Sequence, residues 1–304
     1  MDTVLQAEFA ERTSCINCGG SHLTELSRGA YRDQPLAGFL AADPWGENPM
    51  PFLQNATWSL VRCDDCAQVF QKRILTDAWN ERRFSQWMST DAIRAFEEKL
   101  GPAFPREFGA AARHVEHVLR IEKLTRPVRQ SGEAVRILDF GCGFGGFLEA
   151  CAHFGFEASG VDRAPARRDA SSVKIMPSLP PAGGPPYHAI TLFEVLEHVD
   201  APSDILAALS ERLIKGGILV LETPDCAGVT NIKTRDDYLK IHPLEHINAF
   251  THGTLKSIAA RNGFTLISRG PALVTENPLR AAKTLARERL GRAESSTQLY
   301  FRKT

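Results

Sequence analysis

Four cysteines in two C-x2-C pairs, Cys15 with Cys18 and Cys63 with Cys66, are the residues of this chain whose type and spacing speak most directly of chemistry. Two thiolates three positions apart on a tight turn can meet one tetrahedral ion. Gly19 and Gly20 permit the turn, and a second pair closes a structural zinc site. Four free buried thiols are the alternative. The 44 residues between the pairs, 19–62, are too many for a simple ribbon, so that loop leaves and returns. Histidines beside carboxylates form a second group. They fall in Phe193-Glu194-Val195-Leu196-Glu197-His198-Val199 and in His242-Pro243-Leu244-Glu245-His246-Ile247-Asn248-Ala249-Phe250-Thr251. An imidazole so placed can take a proton from a reacting group, and imidazoles grouped with carboxylates can instead hold a divalent cation. The plainer reading of Glu245 and His246 is a loop ion pair.

A third group works through backbone. Val135, Ile137, Leu138 and Phe140 form a short apolar run, as a parallel strand buried on both faces requires. Gly141, Cys142, Gly143, Phe144, Gly145 and Gly146 follow as a turn that a ligand can approach closely. Phe147, Leu148, Cys151 and Phe154 recur at helical spacing, Gly155 ends the helix, and Ala158 to Val161 make the next strand. Asp162 then stands where a carboxylate can take two ribose hydroxyls. Glycines 141, 143 and 146 also satisfy G-x-G-x-x-G, so an NAD-linked oxidoreductase is one reading.

With Asp139 before the first glycine, Ile137-Leu138-Asp139-Phe140-Gly141-Cys142-Gly143 resembles the first motif of the class I S-adenosylmethionine methyltransferases. Glu194-Val195-Leu196-Glu197-His198-Val199 resembles the motif that follows their fourth strand. The resemblance implies S-adenosylmethionine as cofactor, held by Asp139, Gly141, Cys142, Gly143, Asp162, Arg163, Met176, Phe193 and Glu194. The order of the cysteine pairs, the Pro35-to-Leu40 stretch and Val69-Phe70-Gln71 is similar to the zinc-binding amino-terminal domain of sugar C-methyltransferases. Those enzymes carry a Tyr-Phe-Ser-Ser segment that reaches the methionine end of the cofactor. Trp87, Met88, Ser89 and Thr90 match it, with Trp in place of Tyr, which brings Ser89 and Thr90 among the expected cofactor contacts. Their Glu-His-x-x-x-Phe-Ser stretch, whose His is the base, falls on Glu245 and His246, so the resemblance makes His246 the base, with His198 beside it. Glu194, Glu197 and His198, with His242 or His246, also resemble the divalent-ion set of small-RNA end methyltransferases and ubiquinone-pathway O-methyltransferases. The further carboxyl-terminal domain of the sugar enzymes has no counterpart here, so the resemblance implies methylation of a small molecule or sugar at C or O.

The elements that must position these residues follow from pattern. Strands are expected at 173–176, 189–193 and 217–223 and helices at 106–125, 205–214 and 251–262, then strand 264–268, helix 278–290 and strand 298–302. Short helices are expected at 91–100 and 164–170. Alternation of this kind gives an α/β fold with a doubly wound, mostly parallel seven-stranded sheet, Rossmann-like, behind a small amino-terminal zinc-binding module. The expected divisions are 1–75 for that module, 76–132 for a helical linker and cofactor lid, and 133–304 for the methyltransferase domain. Residues 34–40 and 43–52 read as extended segments and turns, and residues 4–10 as too short for a helix. His114 and His117 receive no role. Thirty-six basic and thirty-six acidic residues cancel, which disfavours a polynucleotide partner or an acidic membrane surface. No apolar run reaches bilayer length, and seven cysteines dominated by C-x2-C pairs fit a reducing, cytoplasmic setting. A catalytically silent binding module is the remaining alternative.

Overall fold

The computed structural model describes residues 5–89, 91–92, 95, 103–164, 168, 171, 173–268, 270, 272–275, 278–289 and 297–304. Numbered along the chain, its strands are β1 (Phe9–Glu11), β2 (Leu23–Ala30), β3 (Thr57–Cys63), β4 (Val69–Gln71), β5 (Arg73–Leu75), β6 (Arg136–Phe140) and β7 (Glu157–Val161). There follow β8 (Ile175–Met176), β9 (Tyr187–Phe193), β10 (Leu213–Glu222), β11 (Asn248–Ala249), β12 (Phe264–Ile267) and β13 (Leu299–Lys303). Two compact units divide the chain. Met1–Gly101, Leu196–Pro202 and Pro224–Thr254 form the first, and Pro102–Val195, Ser203–Thr223 and Leu255–Thr304 form the second.

In the second unit seven strands lie in the order β12-β13-β10-β9-β6-β7-β8. β6 pairs in parallel with β7 and β9, and β13 alone runs antiparallel to its neighbours. This is the expected Rossmann-like α/β sheet. Ile137 and Leu138 of β6, which lies between β9 and β7, are fully buried, in keeping with the short apolar run there. Helix Gly146–His153 starts from Gly145 in a left-handed conformation (φ +85°). Helix Ala103–Thr125 begins three residues before the expected start; Pro105 sits in its first turn, where its missing N–H is no loss. Helix Pro202–Arg212 is likewise shifted toward the amino terminus, and β8 is shorter than expected. The helices expected at 91–100 and 164–170 fall largely outside the described residues.

The first unit holds a four-stranded antiparallel sheet, β11-β4-β3-β2, and the pair β1-β5. Residues 34–52 are not simply extended, as the prolines had suggested. Leu36–Ala41 is a helix and Met50–Leu53 a 3-10 turn. Leu36 and Leu40, four apart, bury one face with Leu53, Trp58, Trp79 and Trp87, and Pro35 occupies the position before the helix, where it is harmless. Residues 9–11 are the strand β1, whose pairing partner Arg73–Leu75 lies more than sixty residues away. Among the described residues no helix is long and apolar enough to cross a membrane.

Candidate functional site

In the first unit the two cysteine pairs converge. The four sulfur atoms lie within 4.8 Å of one another, with Cys15 Sγ 3.5 Å from Cys66 Sγ and Cys18 Sγ 3.5 Å from Cys63 Sγ. Sulfurs around a tetrahedral zinc at about 2.3 Å stand roughly 3.8 Å apart, so the donor set and its spacing fit. β3 delivers Cys63, and the tight turn Cys63–Cys66 returns the chain to β4. The Asn17 N–H donates to Cys15 Sγ at 3.4 Å, the kind of contact that favours a thiolate. Burial pushes the Cys15 thiol up to about 11, so its ionised form needs a cation.

The same unit gathers Glu197, His198 and His246, whose ligand atoms also lie within 4.8 Å of one another. Glu197 and His198 sit in the 3-10 turn Leu196–His198, and His246 precedes β11 by two residues. His198 Nδ1 donates to the Glu245 carbonyl at 2.9 Å, which leaves its Nε2 lone pair on the side of Glu197, 3.9 Å away. The buried Nδ1 of His246 has no hydrogen-bond partner among the described residues. Burial, with the neighbouring His242, holds His246 down at about 4, and burial with His246 holds His198 well below the ordinary histidine range. Both rings are therefore neutral ligand-type imidazoles near pH 7. The Glu245 carboxylate lies 3.8 Å from Arg83, so its carbonyl rather than its carboxylate orients an imidazole, and that imidazole is His198.

His242 stands apart from this group. Its Nδ1 accepts from the Leu244 N–H, so Nε2 carries the proton and faces Asp43 Oδ2 at 3.3 Å and the Tyr238 hydroxyl. Tyr238 donates to Asp43, and Arg235 Nη2 donates to Asp43 Oδ1 at 2.8 Å. Asp43, Trp45, Met88, Leu239, Glu245 and His246 line a cavity of about 270 Å³, room for one ring-sized molecule. Asp43, Trp45, Arg235 and Tyr238 escaped the sequence reading because their only shared signal is spatial. Trp87 is fully buried against Phe52 and Trp79, and Ser89 Oγ accepts from the Ala92 N–H. Thr90 lies outside the described residues.

In the second unit the glycine turn forms as expected. Gly141 and Cys142 N–H groups donate to the Val161 carbonyl, and the Gly143 N–H donates to Asp162 Oδ2 at 3.0 Å. A Cβ on Gly143 would meet no protein atom within 4 Å, so glycine is needed there for its left-handed backbone (φ +57°). Gly160 is different. A Cβ there would stand 2.4 Å from Cys142 Sγ, which is how the thiol packs beneath the turn. Asp162 Oδ1 accepts from the Ala164 N–H, Arg163 is exposed, and the Met176 carbonyl accepts from the Asp162 N–H. Phe193, at the end of β9, packs on Phe147 and His117. His117 is a buried packing residue bonded to the Tyr300 hydroxyl at 2.6 Å. Glu194 is held in the left-handed region (φ 54°) by the turn after β9, a conformation that clusters at ligand sites.

Asp139 is buried and accepts from Thr191 Oγ1 at 2.6 Å. Burial, opposed by that hydrogen bond and assisted by Asp162, pushes its carboxyl up to about 7 from 3.8. The folded carboxyl thus keeps its proton where the unfolded one has lost it, and stability falls as pH rises from about 4 to 7. Asp139→Asn, which keeps the shape and an oxygen for Thr191, is expected to melt higher than the parent at pH 8. The gap should close toward pH 4 in thermal scans, and equal melting at pH 8 would contradict the burial argument.

The chain is similar to known proteins. A family model described as a methyltransferase domain matches residues 79–269. The chain is 26% identical over 171 residues to a mitochondrial ubiquinone biosynthesis O-methyltransferase from Schizosaccharomyces pombe, covering 50% of this chain and 61% of that one. It is 32% identical over 123 residues to ubiquinone biosynthesis O-methyltransferase from Xanthomonas campestris, covering 36% and 51%. The chain thus spans between half and two thirds of the length of these curated relatives. A solved sugar N-methyltransferase from Streptoalloteichus is 25% identical, with a TM-score of 0.34 over 41% of this chain and 53% of that one.

Proposed function

The chain belongs to the methyltransferase-domain family, and from that premise we propose that it transfers the methyl group of S-adenosylmethionine to a hydroxyl-bearing small molecule, a sugar among the candidates. The observation that carries the acceptor side is the meeting of Glu197, His198 and His246 beside a ring-sized cavity. Methyl transfer from a sulfonium is an in-line displacement with an activated donor, so the protein's tasks are to place the acceptor and to remove its proton.

Two readings of the proton's fate use the same residues. In one, His246 alone takes it. The clustering favours the other, in which Glu197, His198 Nε2 and His246 Nδ1 hold a divalent cation. Such an ion, once bound, lowers the pKa of a hydroxyl beside it. The protein's own contribution is orientation. The Glu245 carbonyl fixes the His198 tautomer, as second contacts do for ligating imidazoles. His242, with both nitrogens engaged, serves the cavity wall. Zinc in the four-cysteine site is structural in this reading, since four thiolates are a complete tetrahedral donor set.

The donor side is tested by calorimetry with S-adenosylhomocysteine. The parent is expected to bind it, and Asp162→Ala to bind it more weakly by roughly 1–3 kcal/mol through lost charge-assisted hydrogen bonds and a freed Gly143 N–H. NADH should give no heat. Binding of NADH in place of the thioether, or affinity indifferent to Asp162, would overturn the assignment.

A further inference from the structure

Glu197 and His198 reach their centre from one segment of the first unit, and His246 from another nearly fifty residues later. Something must set their separation. Asn248 is fully buried and lies two residues beyond His246. Its Nδ2 donates to the carbonyls of Leu196 at 2.8 Å and Val199 at 2.7 Å, the residues that flank Glu197-His198 on either side. Its Oδ1 accepts from Arg12 Nη1 at 2.6 Å. The backbone of Asn248 is tied as well. It pairs with Phe70 in β4, the strand that starts three residues after Cys66; the Gln71 N–H donates to the Ile247 carbonyl at 2.8 Å, and Gln68 Nε2 donates to the Ala249 carbonyl at 2.8 Å.

We propose that Asn248 is a positioning residue that sets the spacing of Glu197 and His198 from His246, and that through it the four-cysteine sheet holds a cation-binding centre in register. This rests on the cation reading given above. An amide is the one short side chain that offers two donors on one nitrogen and an acceptor in the same plane, and all three are used here. Aspartate keeps the shape and the acceptor for Arg12 but has nothing to give the two carbonyls. Alanine loses both. Because a carboxylate near the centre would by itself attract a cation, a loss of cation affinity in Asn248→Asp cannot be ascribed to charge.

The test is Mn²⁺ binding followed by electron paramagnetic resonance on the full chain with zinc in place. Elemental zinc content, thermal melting and calorimetry with S-adenosylhomocysteine serve as controls. Parent protein is expected to take up Mn²⁺ and to lose it in Glu197→Gln. Asn248→Asp is expected to retain stoichiometric zinc and parental thioether affinity while binding Mn²⁺ at least tenfold more weakly. Should the aspartate fail to fold, Asn248→Ser, with one hydroxyl donor left, is expected to show an intermediate loss. Parental Mn²⁺ affinity in a folded Asn248 variant would overturn the positioning role and leave the centre intact. A parent that takes up no Mn²⁺ would overturn the cation reading and this inference with it.

Discussion

The His246→Ala protein is expected to lose about 10² to 10⁴ in turnover while keeping its affinity for S-adenosylhomocysteine. In the proposed role the residue acts on the acceptor, and its unit is not the one that carries Gly143 and Asp162. Turnover is read as thioether release with a panel of hydroxyl-bearing acceptors. Glu197→Gln decides between the two fates of the proton, because it removes a ligand charge with little change of shape. If a cation is held, both variants fall together and the parent is silenced by EDTA and restored by a divalent ion. If His246 is a solitary base, Glu197→Gln retains most of its rate, and parent protein that keeps its zinc needs no added divalent ion for turnover. Full turnover in His246→Ala with an identified acceptor would make the loop purely structural.

Cys63→Ser is expected to remove zinc and to unfold the first unit well before the second. Structural zinc sites have apparent binding free energies of about 10–16 kcal/mol in small peptides, a scale that exceeds the total stability of many domains. Here the ion would sit under β3 and β4, and β4 carries β11. Stripping the metal should therefore abolish turnover through loss of Glu197, His198 and His246 from their common site, with thioether binding outlasting it. Elemental analysis and melts with and without chelator check this. Native protein without stoichiometric zinc, or melting indifferent to chelation, would refute it.

What could be read in advance was local. The turn from Gly141 to Asp162 is legible because strand, glycines and carboxylate follow one another within thirty residues, and the cysteine pairs are legible because a tight turn is enough to juxtapose two thiols. The resemblance to a divalent-ion set brought Glu197 and His198 together with His242 or His246 as an expectation, but no periodic signal connects residue 198 with residue 246, so which histidine joins them could not be read from the residues. The helix Leu36–Ala41 was masked by Pro35 and Gly38. Its burial against Trp58 and Trp87 is a tertiary gain that no window of sequence contains. Asp43 and Tyr238 are the extreme case. Their hydrogen bond spans 195 positions, and each residue alone looks like an ordinary loop acid or helix aromatic.

The first unit is assembled from three separate stretches of chain, the last of which runs to residue 254. During synthesis the cysteine sheet therefore waits. β4 has β3 on one side as soon as residue 71 has emerged, but its other edge stays bare until Asn248–Ala249 arrives about 180 residues later. At the usual pace of about 5–20 residues per second that interval is on the order of ten to forty seconds, long for an exposed strand edge beside apolar neighbours. A nascent chain stalled before residue 248 should therefore be the form most inclined to aggregate.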